Sequence, residues 1–421
     1  MKHLKKAVVH AKNFRGFSEL SIDLTAINFV VGDNSSGKTS ILHLINAVLT
    51  SELSGVPKLD TDLSVGRFDY FSPYFSNDDV TLGFEIEDDS GKYIKIITLR
   101  QKSVGEVPQV EKCTYATEKL QISLRRFGKK LKAKKVYKDN SCDWADVCSL
   151  HESTTGFSLL KDEENVPPPN HLFAVTQVLE RRKEAPDADL IKRLMFEDLY
   201  GVRHIAPVRG MPEKFYNFDR KYNASGKHFA TMWHDIKKNY EKDLRKIFRS
   251  FGRSASLFDD LEISRVAKGL PDSPLIVRVS KNGQEFFLNQ VGVGVSQVVP
   301  ILVEMVFEAH EEDGNYLLFQ QPELHLHPVA QAALGDLFFE MSSKLRGMTI
   351  ETHSNFFIDR FRLAIRNSEN GEARRANILY CSNSESGNKC EVIEISNDGR
   401  LVDPPYEYFK FFLSELEATT F

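Results

Sequence analysis

The chain has 421 residues, 41% apolar and 27% charged, a globular balance that excludes the disordered, collagen-like and disulfide-scaffold classes. At this length the expectation is two to three domains or one elaborated core. The 55 basic and 59 acidic side chains leave a formal net charge of −4, so no global field draws in nucleic acid or an anionic membrane, and any such binding has to be local.

Five cysteines (Cys113, Cys142, Cys148, Cys381 and Cys390) are few for the length, form no C-x-x-C pair and leave one over. That usage points to a reducing compartment and away from structural zinc. The basic start Met1–Lys6 precedes an apolar run, Ala7-Val8-Val9, far shorter than a signal-peptide core, and no stretch approaches about 18 apolar residues. A cytoplasmic chain with no membrane partner is expected.

Short strands are expected over 7–10 and 19–24, around a turn at Asn13-Phe14-Arg15-Gly16, and Ala26–Val31 reads as a buried strand ending at Gly32. From Thr39 the residues Ile41, Leu42, Leu44, Ile45, Val48 and Leu49 recur at helical spacing, so the loop 32–39 sits between a strand and the N-terminus of an amphipathic helix. Residues 79–87 and 92–100 suggest a hairpin. From about 103 to 200 the texture changes, with a basic stretch over 125–138, an acidic Lys161-Asp162-Glu163-Glu164 and then Pro167-Pro168-Pro169. Read as an insertion, this segment divides the chain into 1–102, 103–200 and 201–421. Helices are expected over 188–200 and 228–251, the second with Phe229, Met232, Ile236, Tyr240, Leu244 and Ile247 on one stripe. Strands at 274–280 and 284–289, a helix at 297–310, a buried strand at Tyr316–Phe319, a helix at 328–345, a strand at 348–351, a helix at 355–367 and two strands within 377–396 complete the reading.

Gly32-Asp33-Asn34-Ser35-Ser36-Gly37-Lys38-Thr39 matches G-x-x-x-x-G-K-[ST], which arises by chance in only about one or two per hundred chains of this size. Its glycines let successive N–H groups of 34–40 (Asn34, Ser35, Ser36, Gly37, Lys38, Thr39, Ser40) face phosphate oxygens, and the helix dipole adds positive potential there. Lys38 would neutralise the β- and γ-phosphates of ATP and the Thr39 hydroxyl would ligate Mg²⁺. Such a loop calls for a second strand ending in an acid. Tyr316–Phe319 is the apolar candidate, but Gln320-Gln321-Pro322-Glu323 follows it. Gln320 can accept a hydrogen bond from metal-bound water without adding charge, Gln321 can orient water but is a poor base, and Glu323 is the nearest carboxylate left in sequence. A small-residue segment, Val291–Gln297, opens an apolar helix, and a turn of that kind at a helix N-terminus suits phosphate. Thr352-His353-Ser354 follows a later strand, where His353 can hydrogen-bond a γ-phosphate.

A metal site from His325, His327 and Glu323 is disfavoured against a loop role. The stretch 125–138 holds eight Lys or Arg in fourteen residues, with Phe127 and Tyr137 available to stack on bases. A solvated strand face is the competing reading. Arg209, beside Pro207, is read as a structural anchor for the nucleotide lobe in preference to a part of the interface.

In order and spacing, Phe14–Phe17, Gly32–Ser40, Ile205–Arg209, Val291–Gln297, Gln321–Pro328 and Glu351–Ser354 resemble the P-loop ABC-type ATPase heads of the SMC and RecF-like superfamily. Within it the chain is most similar to OLD-like ATPases of prokaryotic anti-phage defence systems such as Septu or PARIS. The resemblance covers roughly 1–100 and 200–400. It implies an α/β head with a mixed sheet lobe and a helical signature lobe, carrying an inserted α+β segment. It also implies a head-to-tail homodimer or larger oligomer, in which Gly294, Ser296 and Gln297 of one copy cap the ATP held by the other. The loop around 327 would touch the partner copy. An ATPase switch that holds an effector nuclease or toxin until a phage-derived trigger arrives is the implied function, and a RecF-like clamp on DNA is the alternative. The family usually has Glu or Asp at 320. Gln320 therefore implies impaired hydrolysis, from a naturally degenerate site or an isosteric change that holds ATP, and the otherwise intact motif favours the second.

Overall fold

The computed structural model describes residues 6–50, 78–88, 91–100, 109–128, 130–139, 142–159, 201–267, 269–270, 273–312, 314–368, 375–385 and 387–410. The helix expected over 188–200, the acidic segment 161–164 and the prolines 167–169 lie outside the described residues.

Strands β1 (Lys6–Phe14) and β2 (Phe17–Leu24) form a hairpin around Arg15-Gly16, and β3 (Ile27–Gly32) leads through the glycine-rich loop into α1 (Lys38–Leu49). The expected hairpin is β4 (Val80–Asp88) with β5 (Gly91–Arg100). Then come β6 (Gln109–Thr117), β7 (Leu120–Phe127), β8 (Lys130–Tyr137), α2 (Trp144–Glu152) and the short β9 (Ser158–Leu159). Except for β3, these strands make one eight-stranded sheet of order β2-β1-β4-β5-β6-β7-β8-β9. The break expected at 102/103 falls between β5 and β6, which are hydrogen-bonded neighbours. Up to residue 159 the anticipated insertion is thus a continuation of the N-terminal sheet.

The side chains of β5 show how that sheet is packed. Tyr93, Ile97 and Leu99 enter the cluster shared with α1, while Ile94 and Ile96 enter a smaller one with Val147 of α2. A strand covered on both faces loses the apolar–polar alternation of a half-exposed one. Where α2 crosses, the buried imidazole of His151 lies between two strand hydroxyls, with Nε2 2.8 Å from Thr98 Oγ1 and Nδ1 2.9 Å from Thr114 Oγ1.

The second half supplies β10 (Val202–Ile205), α3 (Phe229–Ser254), β11 (Asp260–Arg265), β12 (Leu275–Lys281), β13 (Gln284–Phe287) and α4 (Val293–His310). After these come β14 (Tyr316–Gln320), α5 (Pro328–Ser342), β15 (Met348–Glu351), α6 (Asn355–Asn367), β16 (Ala376–Ser384) and β17 (Gly387–Ile395). The expected stripe on α3 is buried except at Tyr240, whose backbone leaves helical geometry at φ −130°. Helix α4 begins four residues before the expected 297. It is long and apolar enough to cross a membrane, yet Val295–Val306 are buried in the protein's own core.

A six-stranded sheet of order β10-β14-β15-β3-β16-β17 joins the two halves. Its first five strands run parallel and β17 antiparallel. Every residue of β3 is buried: Ile27, Phe29 and Val31 face the core built with α3–α6, and Val30 faces the core shared with α1 and the eight-stranded sheet. This α/β arrangement brings the C-terminal ends of β10, β14, β15 and β3 to one edge, where open parallel sheets bind ligands.

Burial, aided by Lys112 and opposed by Glu152, pulls the His151 imidazole from its ordinary 6.5 down to about 4. Between those values the unfolded chain takes up the proton more readily, so stability is full above about pH 6.5 and falls as pH drops towards 4. Urea unfolding at pH 7 and pH 5 should show this loss, and it should be smaller in His151→Asn, measured against that variant's own stability at pH 7.

Candidate nucleotide-binding site

The loop after β3 has the backbone its glycines imply. Gly32 has φ 138°, Ser35 61° and Gly37 94°. A Cβ on Gly32 would lie 1.9 Å from the Cys381 carbonyl oxygen of β16, and one on Gly37 would lie 2.6 Å from the Phe17 ring. The hairpin turn before β2 therefore walls the loop, and Arg15 reaches Ser40 Oγ at 3.3 Å. Asp33, Asn34 and Ser35 are exposed, whereas Ser36 is buried with its hydroxyl on the Asp33 carbonyl at 2.8 Å. Helix α1 opens with no side-chain cap and no acid in its first turn, leaving its first N–H groups and dipole to an anion.

The buried Lys38 amine donates to the carbonyls of Gly32 at 2.9 Å and Asp33 at 2.5 Å. Burial lowers its pKa, and the Glu351 charge works the other way. The Thr39 hydroxyl donates to Glu351, 3.0 Å from Oε2 and 3.2 Å from Oε1. Gln320, at the end of β14, is the register partner of Glu351. Its amide nitrogen donates to Glu351 Oε2 at 3.1 Å, and its Oε1 lies 2.7 Å from His204 Nε2 on β10. Sequence adjacency pointed to Glu323 as the remaining carboxylate. In the folded chain the carboxylate against Thr39 is Glu351, because β15 lies between β14 and β3. Glu323 is buried, accepts the His353 N–H at 2.8 Å, and has its pKa raised by burial. Desolvation and Lys38 together hold the His353 imidazole below its ordinary 6.5.

Gln321 takes a left-handed φ of 44°, donates its N–H to the Glu351 carbonyl at 2.7 Å, and accepts from Arg209 Nη2 at 3.4 Å. Arg209 is buried, as an anchor should be, and desolvation pulls its pKa down to about 10 against the Glu323 charge. Its backbone N–H donates to Gln297 Oε1 at 3.3 Å. Gln297 and Ser296 are both buried, and the Ser296 hydroxyl donates to the Val293 carbonyl at 2.8 Å. Of the expected cap, Gly294 is partly exposed, while Gly292 and Val293 just before it are exposed. No hydrogen bond links 292–297 to 32–39 among the described residues. His327 caps α5, accepting from the Val329 N–H at 3.4 Å.

The basic stretch covers the end of β7 and the length of β8, and three of its side chains are engaged within the chain. Arg125 donates to the Ser153 carbonyl at 2.9 Å, Lys134 to Ser153 Oγ at 3.0 Å, and Lys138 pairs with Asp146 at 2.8 Å. Phe127 packs edge-on against Phe157 and under Lys132.

No group of three or more His, Cys, Asp or Glu stands ready for a metal among the described residues. The hard oxygens of Thr39 and Glu351 beside the loop suit Mg²⁺, which takes few protein ligands and completes its shell with phosphate and water, whereas Gln320, expected among the metal ligands, has its Oε1 against His204 and turns its NH₂ to Glu351. When bound, that ion would neutralise the charge between β- and γ-phosphates.

Such a loop between the central strand and a helix, with hydroxyl, carboxylate and carboxamide gathered at the adjoining strand ends, is the site of a P-loop nucleotide-binding protein. The AAA domain family matches residues 9–205 and the AAA ATPase domain family residues 189–358, so over those stretches the chain is similar to AAA-type ATPase domains. No curated protein matches the sequence. Similar solved structures include an SMC head bound to the C-winged helix domain of ScpA, at 12% identity and TM-score 0.45, covering 94% of this chain and 98% of that one. The SMC head domain from Thermotoga maritima, at 12% identity and TM-score 0.41, covers 94% and 99% respectively.

Gly32→Ala is expected to cost about 1–3 kcal/mol from its backbone angle alone, and more from the contact with the Cys381 carbonyl. Chemical denaturation should show the loss, together with weakened nucleotide binding.

Proposed function

We propose that this chain is an ATP-driven switch, in which Mg²⁺–ATP held by Gly32–Ser40 joins two copies head to tail. The observation that carries the reading is the loop itself: three left-handed or glycine-only backbone positions, an uncapped helix start, and the Lys38 amine and Thr39 hydroxyl beside the strand ends. The exposed backbone of Gly292 and Val293 and the partly exposed Gly294, at the start of α4, are available to cap a nucleotide on the second copy, with Ser296 one turn further in. Closure of the pair is the output, and loss of the γ-phosphate reopens it. A coupling of a few kcal/mol is enough to shift such an equilibrium.

The cellular role we propose is control of a separate nuclease or toxin in anti-phage defence, in the cytoplasm. Its support is the sequence resemblance to OLD-like defence ATPases. The ion pair of Lys138 with Asp146, and the engagement of Arg125 and Lys134 by Ser153, favour this reading over the DNA-clamp alternative.

Lys38→Ala should lose ATP binding and the ATP-dependent dimer together, read by calorimetry and by light scattering behind a sizing column. A variant that still dimerises on adding ATP would show an interface independent of nucleotide.

A further inference from the structure

We infer that Glu351, at the end of β15, is the carboxylate that holds the divalent cation of the bound nucleotide, and that Gln320 is the residue that positions it. The inference rests on the reading that Gly32–Ser40 binds Mg²⁺–ATP.

Gln320 and Glu351 are in-register neighbours on parallel strands. Both are buried, and their side chains meet at 3.1 Å. A carboxamide has one acceptor and one donor end. With His204 Nε2–H donating to Gln320 Oε1 at 2.7 Å, the NH₂ is turned to Glu351 Oε2, whose carboxylate is thereby pinned against the Thr39 hydroxyl at 3.0 Å. Thr39 is the hydroxyl from which a P-loop ligates its metal, so the carboxylate in contact with it is the one placed to share that ion.

This geometry gives the missing acid on β14 a physical meaning. A Glu at 320 would set two carboxylates in contact, and like charges so close do not both ionise readily. It would also lose the donor that fixes Glu351. The single negative charge that the cation needs is present, one strand over, and the glutamine is what that displacement requires. Gln320 then marks a relocated metal site, in place of the degenerate one that its sequence position suggests.

The test is titration of a fluorescent ATP analogue into the wild type, Glu351→Gln and Gln320→Glu, each in excess EDTA and in excess Mg²⁺. Wild type should bind more tightly with Mg²⁺. Glu351→Gln should lose that gain, by about tenfold or more, while its metal-free affinity stays equal or rises, because a negative charge facing the phosphates has gone. Gln320→Glu should bind metal-free nucleotide more weakly than wild type. A Glu351→Gln protein that keeps the wild-type Mg²⁺ gain overturns the assignment. So does one weakened equally in both buffers, since that is the mark of a purely structural residue. Wild type that binds nucleotide in neither buffer brings down the ATP reading as well.

Discussion

A hydrogen bond between residues 312 apart in sequence, from the Thr39 hydroxyl to the Glu351 carboxylate, fixes the first turn of α1 against the end of β15. It depends on one constraint, that β3 lies between β15 and β16 with both faces buried. A strand in that position cannot shift without opening two cores. The loop that follows it is held equally firmly, since Gly32 lies directly against the Cys381 carbonyl of β16. Lys38 and Thr39 are therefore presented by a frame packed between two cores, and a pre-formed frame lowers the ordering cost of binding.

The two cores meet at this strand and have different compositions. One joins α1 to the eight-stranded sheet; the other packs α3–α6 under the six-stranded sheet. The site lies at their seam, so displacement of the strand ends would be felt on both sides. On the face of β3 turned to α1, polar groups are spent as carefully as apolar ones. Asn28, within β3, is satisfied by Thr25 and by the Tyr316 hydroxyl at 3.1 Å, so its amide does not weaken the strand that carries the loop.

Local signals in the sequence marked the parts of the site that are local in the fold. The glycines, Lys38 and Thr39 belong to one strand–loop–helix unit, and their spacing alone predicts their geometry. Strands β6–β8 were harder to see, because charged residues such as Lys112 and Lys134 break the apolar run and α2 buries the second face where it crosses. Glu351 escaped for a different reason. Proximity in sequence favoured Glu323 as the companion of Gln320, but the register of β14 with β15 decides which carboxylate stands beside which carboxamide, and register is a tertiary property. The segment 294–297 shows the same dependence on tertiary packing. Its small residues suggested an exposed cap, whereas α4 begins at Val293 and turns Ser296 and Gln297 inward.

That inward turn has a structural consequence of its own. Gln297 is hydrogen-bonded to the Arg209 backbone, the Arg209 guanidinium to the Gln321 carbonyl, and the Gln321 N–H to the Glu351 carbonyl. Three bonds thus run from the start of α4 to the residue that touches Thr39, through a left-handed Gln321 that can serve both directions only because its φ of 44° reverses the chain. Arg209 is central to this route and is charged while almost fully desolvated, a costly state unless every contact it makes is retained. A helix start tied through such a residue is joined to the strand ends by one continuous hydrogen-bonded route. The end of α4 that faces outward, Gly292–Gly294, is accordingly linked to the groups beside the loop, and the two surfaces that the proposed head-to-tail contact would bring together belong to one hydrogen-bonded chain rather than to two independent folds.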